Sequence, residues 1–410
     1  MSDIGPRLVP ALGFVVMIAI AWACSSDRTR FPWRVVLVGV GLQFALGGLL
    51  LKTPIGGLFF AAMSRVVGAF LSYSNAGTRF VFGALADAGF SIFVNVLPII
   101  IFSGCFFSVL YHLGILQRII NGLSFVLART MRLSGAESLC AVANLFVGIT
   151  EAALVVRPYL ARMTRSELFS LMTLGMATVA GSVMLAYVGM LGGGDYAGHL
   201  ATASLLSAPA GLLLAKVMLP ETGTPETFSG GHGQLERSSV NLIDAAAAGA
   251  LAGLRLAGYV GALLIAFVAM IALLNGSLAA LGDLLGLEGL SLERILGTLL
   301  APLAWLMGVP WEDASRVGAL LGVKTVLNEF LAYQQLAELQ AAGALSPRAS
   351  IIASYALCGF ANFGSLAILL GGIGGLAPER RPEVAQLGLR AILAGSLATF
   401  MTACVAGMLL

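Results

Sequence analysis

Eight stretches of this chain stay apolar for about the length a helix needs to cross a bilayer. They lie near residues 8–24, 35–51, 88–111, 167–191, 197–218, 254–275, 349–371 and 387–409. A crossing helix takes about 20 mainly apolar residues, and inside lipid each backbone N–H and C=O must find its partner within the structure. That restricts the chain to helical spans. Charge is scarce, at 10% of 410 residues, too little to cover a soluble surface of this size. The 51 glycines suit helices packed closely in lipid, where small residues let backbones approach. The net charge of +3 comes with no basic patch, which excludes nucleic acid as the main partner. The expected class is an all-α polytopic membrane protein.

Five cysteines (Cys24, Cys105, Cys140, Cys358, Cys404) sit in or beside apolar runs with no CxxC pair, and read as small buried apolar residues. His112, His199 and His232 show no metal-ligand spacing. Residues 8–23 lack a basic leader and a small-residue cleavage site, so they read as a first span.

Four further stretches are apolar but unsuited to simple crossing. Residues 115–131 (ILQRIINGLSFVLARTM) place basic residues at helical spacing among apolar ones, and 291–307 (SLERILGTLLAPLAWLM) read alike. Both are expected to be interfacial amphipathic helices. Residues 134–160 and 312–340 each carry a carboxylate and polar residues near the middle, and are expected to be helical hairpins that enter the membrane and turn back. The polar segment 220–241 joins two halves that match in order: LQRI at 116–119 with LERI at 292–295, then a hairpin holding Glu151 or Glu329, then two spans whose first carries Gly181-Ser182 or Gly364-Ser365. The division is 1–112 as scaffold helices, 113–219 as the first transport repeat, 220–241 as a cytoplasmic linker, 242–290 as a scaffold span, and 291–410 as the second repeat.

Arginines at 28, 30 and 34, at 118, 129 and 132, at 157, 162 and 165, and at 380 and 381 fall on one side if eight spans have both termini outside. The positive-inside rule makes that side the cytoplasm. Three crossings then separate the spans preceding the two hairpins, so the repeats are inverted. Inverted repeats with broken helices mark secondary transporters, whose substrate sites lie near the midplane.

Ionisable residues at membrane depth are costly and are therefore functional candidates. Glu151 and Glu329 recur at equivalent places, suited to binding a substrate hydroxyl or imino group; the alternative is an ion pair with Arg157 or Lys324. Asn362 and Ser365 offer hydrogen bonds from an apolar span, toward substrate or toward another helix. Asn144, Val147, Thr150, Thr178 and Val179 suit a cation held by freed carbonyls and a hydroxyl, although Thr178 can equally bond its own helix. There is no GxxxxGK[ST], HExxH or GxSxG motif, and GGIGG at 371–375 follows a span instead of a strand. ATP-driven transport and membrane-embedded catalysis are thereby disfavoured.

These segments resemble the concentrative nucleoside transporter family. GVKTVLNEFLAY (322–333) and SYALCGFANFGSLAILLGGIGGLAPERR (354–381) are the strongest matches, joined by VANLFVGITEAALVVRPYL (142–160), TVAGSVMLAYV (178–188) and SAPAGLLLAKVMLPET (207–222). The resemblance covers nearly the whole chain. It implies a homotrimer in the bacterial inner membrane, an elevator-type moving domain, and nucleoside import driven by Na⁺ or H⁺ with no other cofactor. It puts Thr150, Glu151 and Val183 near the base, with Glu329, Asn362 and Ser365 on the ribose and Phe360 lining the pocket. It assigns Asn144, Val147, Thr178 and Val179 to Na⁺. One position departs: Ile149 stands where the family carries a glutamine that contacts the base. An isoleucine cannot pair with a base edge, and a site that loses one hydrogen-bonding partner loses selectivity steeply. The expectation is altered base preference. A passive channel is the remaining rival.

Overall fold

The computed structural model describes residues 5–87, 91–229, 239–287 and 289–410, and every regular element among them is helical. The first half runs α1 (Gly5–Ala23), α2 (Trp33–Lys52), α3 (Pro54–Phe82), α4 (Leu97–His112), α5 (Ile115–Met131), α6 (Gly135–Phe146), α7 (Ile149–Val155), α8 (Arg157–Leu160), α9 (Arg165–Ala177), α10 (Gly181–Met190) and α11 (Tyr196–Met218). The second runs α12 (Leu242–Leu285), α13 (Leu292–Leu306), α14 (Trp311–Val326), α15 (Glu329–Ala341), α16 (Pro347–Leu357), α17 (Phe363–Leu376) and α18 (Arg381–Leu409). Part of the linker, 230–238, lies outside the described residues.

Helices fall on each apolar run, but two runs are broken. The run 167–191 becomes α9 and α10, separated at Thr178–Ala180, where Thr178 is extended (φ −124°, ψ 168°). The run 349–371 becomes α16 and α17, separated at Cys358–Asn362. By length and apolarity alone, seven helices among the described residues can cross a membrane, or eight if α13 and α14, bent by 116°, form one span. The set differs from the sequence expectation. The stretch Pro54–Asp87, containing α3, belongs to it, whereas α1, α16 and α17 are each too short.

Burial sorts the helices into two groups. In the apolar windows of α9–α10 and of α11, 89% of residues are buried, against 17% for those of α3 and α12. α18 packs against α1, α2, α9, α11 and α16, which makes it the axis of the buried group. α1 and α2 therefore pack on the repeats. α4 lies against α12 along a seam of glycines. A Cβ on Gly104 would meet Gly249 O at 2.6 Å, and one on Gly253 would meet Ile100 O at 2.8 Å. Only bare backbone lets these helices approach so closely. The outer faces keep large apolar side chains exposed, among them Leu58, Phe80 and Ile265, as a lipid-facing surface does.

Capping shows why the hairpin helices start where they do. Ser134 and Thr164 each form a capping box, with Glu137 and Glu167, at the start of α6 and α9. Asn328, Ser346 and Asn362 cap α15, α16 and α17, each accepting a backbone N–H from three residues on.

Candidate functional site

The two broken helices cross at Gly359. A Cβ there would come within 2.6 Å of Thr399 Cγ2, 2.8 Å of Met176 O and 3.0 Å of Ala177 O. The residue in the second break therefore rests on the last carbonyls of α9. Each hairpin tip meets this crossing from its own side.

The first tip turns at Gly148, whose φ of +98° is open to glycine and strained for other residues. A Cβ on Gly148 would touch Ala180 at 3.3 Å and one on Gly181 would lie 3.4 Å from Phe146 O, so the tip sits against the α9–α10 break. One turn earlier, Asn144 is buried. Its Nδ2 donates to Leu174 O at 3.0 Å and to the Thr178 hydroxyl, which itself donates to Leu174 O at 2.9 Å. Thr178 does bond its own helix, and Asn144 as well. The Asn144 Oδ1 is buried with no hydrogen-bond partner among the described residues. Val147 and Val179 flank this pair on the tip and the break.

The second tip is capped by Asn328 and presents Glu329 at the first position of α15, only 6% exposed. Tyr187 OH donates to Glu329 Oε1 at 2.8 Å and Asn362 Nδ2 donates to Oε2 at 2.6 Å. Asn362 Oδ1 accepts from Ser365 N at 2.8 Å. Glu329, Asn362 and Ser365 are thus brought together as one chain of hydrogen bonds. Tyr187 was not singled out in the sequence, where a tyrosine in an apolar span reads as core. It stacks on Tyr333 with ring centroids 4.3 Å apart and joins α10 of the first repeat to the carboxylate of the second. Lys324 does not serve as the ion-pair partner of Glu329. Its Nζ donates to Ala356 O at 2.7 Å and Thr399 Oγ1 at 2.9 Å.

The remaining expected residues are more dispersed. Val183 is buried in the first turn of α10, and Phe360 is half-buried in the second break. Ile149 is nearly buried and lies over Gly175 of α9 and toward Leu369 of α17, since a Cβ on Gly175 would stand 3.3 Å from each of these side chains. Glu151 is exposed on α7. The Thr150 side chain lies outside the described residues.

The all-helical membrane fold, with two broken helices that cross at Gly359 and a buried carboxylate held between α10, α15 and the second break, defines a class that comparison with known proteins identifies. The chain belongs to the Na⁺-dependent nucleoside transporter family. Models for the N-terminus of these transporters, for nucleoside recognition and for their C-terminus match residues 12–85, 93–194 and 199–407. The uncharacterized transporter YutK of Bacillus subtilis is 44% identical over 97% of this chain and 98% of its own length. The rat sodium/nucleoside cotransporter 1 is 42% identical over 98% of this chain, which spans 64% of that longer protein. The solved structure of CNTnw in an inward-facing substrate-bound state superposes with a TM-score of 0.92 at 43% identity, covering 98% of both chains. The family is one of multi-pass membrane transporters, not enzymes.

Proposed function

We propose that this protein is a symporter that imports nucleosides on the Na⁺ gradient by an elevator movement, in a bacterial inner membrane and as a homotrimer. The observation that carries the reading is the buried Glu329, held by Tyr187 and Asn362 with its charge directed into the tip–break junction. A carboxylate so placed accepts hydrogen bonds from the vicinal hydroxyls of a ribose, with Ser365 beside it. The membrane topology proposed is eight crossings (α1, α2, α4, α9–α10, α11, α12, α16–α17 and α18) and two re-entrant hairpins (α6–α8 and α14–α15), with α3, α5 and α13 at the interface and both termini outside. Packing supports α4 and α12 as the scaffold, while α1 and α2 go with the moving repeats.

The first tip suits Na⁺. Asn144 Oδ1 is a buried acceptor with no partner among the described residues, and the Thr178 hydroxyl oxygen lies against the Nδ2 of the same amide. Carbonyls of Val147 and Val179 lie at the two backbone irregularities and complete an oxygen set of the kind Na⁺ takes. Bound there, the ion supplies the charge that the inward gradient and the membrane potential act on. The protein's part is to hold Asn144 against Thr178, so that ordering of the first tip and ordering of the substrate pocket favour each other. Ile149 in place of an amide, with Glu151, Val183 and Phe360 nearby, gives the base side a more apolar character.

The test is radiolabelled uridine uptake into proteoliposomes with an inward Na⁺ gradient against choline at fixed pH, competed by a panel of nucleosides. Concentrative, Na⁺-dependent uptake is expected. Uptake that follows a proton gradient and ignores Na⁺ would assign the coupling to a carboxylate instead, and equilibration without accumulation would make the protein a channel.

A further inference from the structure

The site reading leaves Lys324 unused. It stands in the last turn of α14 and is wholly buried. A buried ammonium is costly unless other groups replace its water. Here they do: the Ala356 carbonyl, the Thr399 hydroxyl, and the Phe400 ring with its centroid 5.5 Å away. Ala356 belongs to the last turn of α16, where the break removes the helical donors that its carbonyls would otherwise meet. Such carbonyl ends carry partial negative charge.

The two repeats can be laid over each other by their caps. Gly148 caps α7 and Asn328 caps α15, while Thr178 closes α9 and Cys358 closes α16. One turn before the tip cap stands Asn144 in the first repeat and Lys324 in the second. Both reach across to the broken helix of their own repeat, Asn144 to Leu174 O and Thr178, Lys324 to Ala356 O. They differ in what they bring. Asn144 contributes a buried oxygen without a partner, and Lys324 contributes a positive charge already coordinated by oxygens.

We propose that Lys324 is a tethered cation, filling in the second repeat the place that Na⁺ takes in the first. The inference rests on the Na⁺ reading of Asn144 and Thr178. One repeat then binds its cation reversibly and the other carries it permanently. The α16–α17 break and the tip that carries Glu329 are then held in place without an ion, through the bonds of Lys324 to Ala356 O and Thr399 Oγ1. A single residue choice at the tip of α14 sets how many Na⁺ accompany each substrate.

The test is Lys324→Asn, which gives the second tip the side chain of the first. Fluxes of radiolabelled Na⁺ and uridine are measured together in proteoliposomes. The ratio is expected to rise from about one to about two Na⁺ per uridine, as a second oxygen-lined site opens. An unchanged ratio in a Na⁺-coupled variant overturns the inference alone, whereas a wild type indifferent to Na⁺ overturns the reading beneath it. A measurement independent of transport uses purified Lys324→Asn: the rise in melting temperature at saturating Na⁺ should be about double that of wild type, because each bound ion adds its own linkage. An equal or smaller rise overturns it. The mirror variant, Asn144→Lys, should bind uridine equally in Na⁺ and in choline. Binding that keeps its full Na⁺ dependence would refute the tethered-cation idea.

Discussion

Replacing Glu329 with glutamine separates charge from shape at the centre of the site. The carboxylate accepts from Tyr187 at one oxygen and from Asn362 at the other. Glutamine has one acceptor oxygen and one NH₂. With its NH₂ toward Asn362 two donors meet, and with its NH₂ toward Tyr187 the phenol oxygen can accept but the phenol proton loses its acceptor, so either way one buried donor is left without a partner. An unsatisfied buried donor costs about 1–3 kcal/mol, and that is the expected loss of stability. Substrate binding suffers separately. A charge-assisted hydrogen bond is worth about 1.5–3 kcal/mol against about 1 kcal/mol for a neutral one. Two ribose hydroxyls on the carboxylate then give a loss of about 1–4 kcal/mol, or roughly 5- to 700-fold in uridine affinity. Equilibrium binding of labelled uridine to purified protein, with melting curves on the same samples, reads both effects. A variant that melts cooperatively and binds uridine as wild type does would show that Glu329 is a structural clasp between Tyr187 and Asn362, and that the ribose lies elsewhere.

Other perturbations test the frame around this site. Gly359→Ala drives a Cβ into Met176 O and Ala177 O, backbone atoms with nowhere to go, so it should cost about 1–3 kcal/mol or more and abolish uptake; wild-type melting and uptake would mean that the crossing is loose. Lys216→Met removes the cation that Glu137 contacts at 2.5 Å and Glu221 at 3.2 Å. Because Glu137 is almost fully buried, the variant should lose about 3–5 kcal/mol, and adding Glu137→Gln should recover part of it; additivity in that double-mutant cycle would show that the pair is not coupled. Ile149→Gln should reorder the uptake rates of uridine, cytidine and adenosine, and an unchanged order would move base selection away from this position.

Much of the helical layout was legible because apolar runs are a direct consequence of lipid as solvent. α1, α2, α4, α11 and α18 lie where such runs predict. α3 escaped because Ser64, Arg65, Ser72, Ser74, Asn75, Thr78 and Arg79 interrupt its apolar sequence. The breaks in α9–α10 and α16–α17 were illegible for a different reason. Neither Thr178 nor Cys358 is a helix breaker by itself, and the unwinding belongs to the crossing at Gly359, a tertiary contact. Glu329 and Asn362 stood out as polar residues in apolar surroundings, yet nothing in their spacing joined them, because the bond spans two elements that only the fold brings together. Tyr187 carried no signal at all. Lys324 stands out as a charge, and an ion pair with the nearby carboxylate is only the alternative that the sequence offers; the freed carbonyl at the end of α16 solvates it instead.

The length of α12 has a consequence for the host membrane. Between Arg255 and Asp283 the helix carries no charge, and at 1.5 Å per residue that run extends about 40 Å. Hydrocarbon is about 30 Å thick, so the helix is long enough to cross at a tilt. The glycine seam ties α4 to α12, and α4 also packs against α10. Under the elevator movement proposed above, bilayer thickness would set the incline of this α4–α12 wall, and acyl-chain length would become a control on transport that acts far from any ligand.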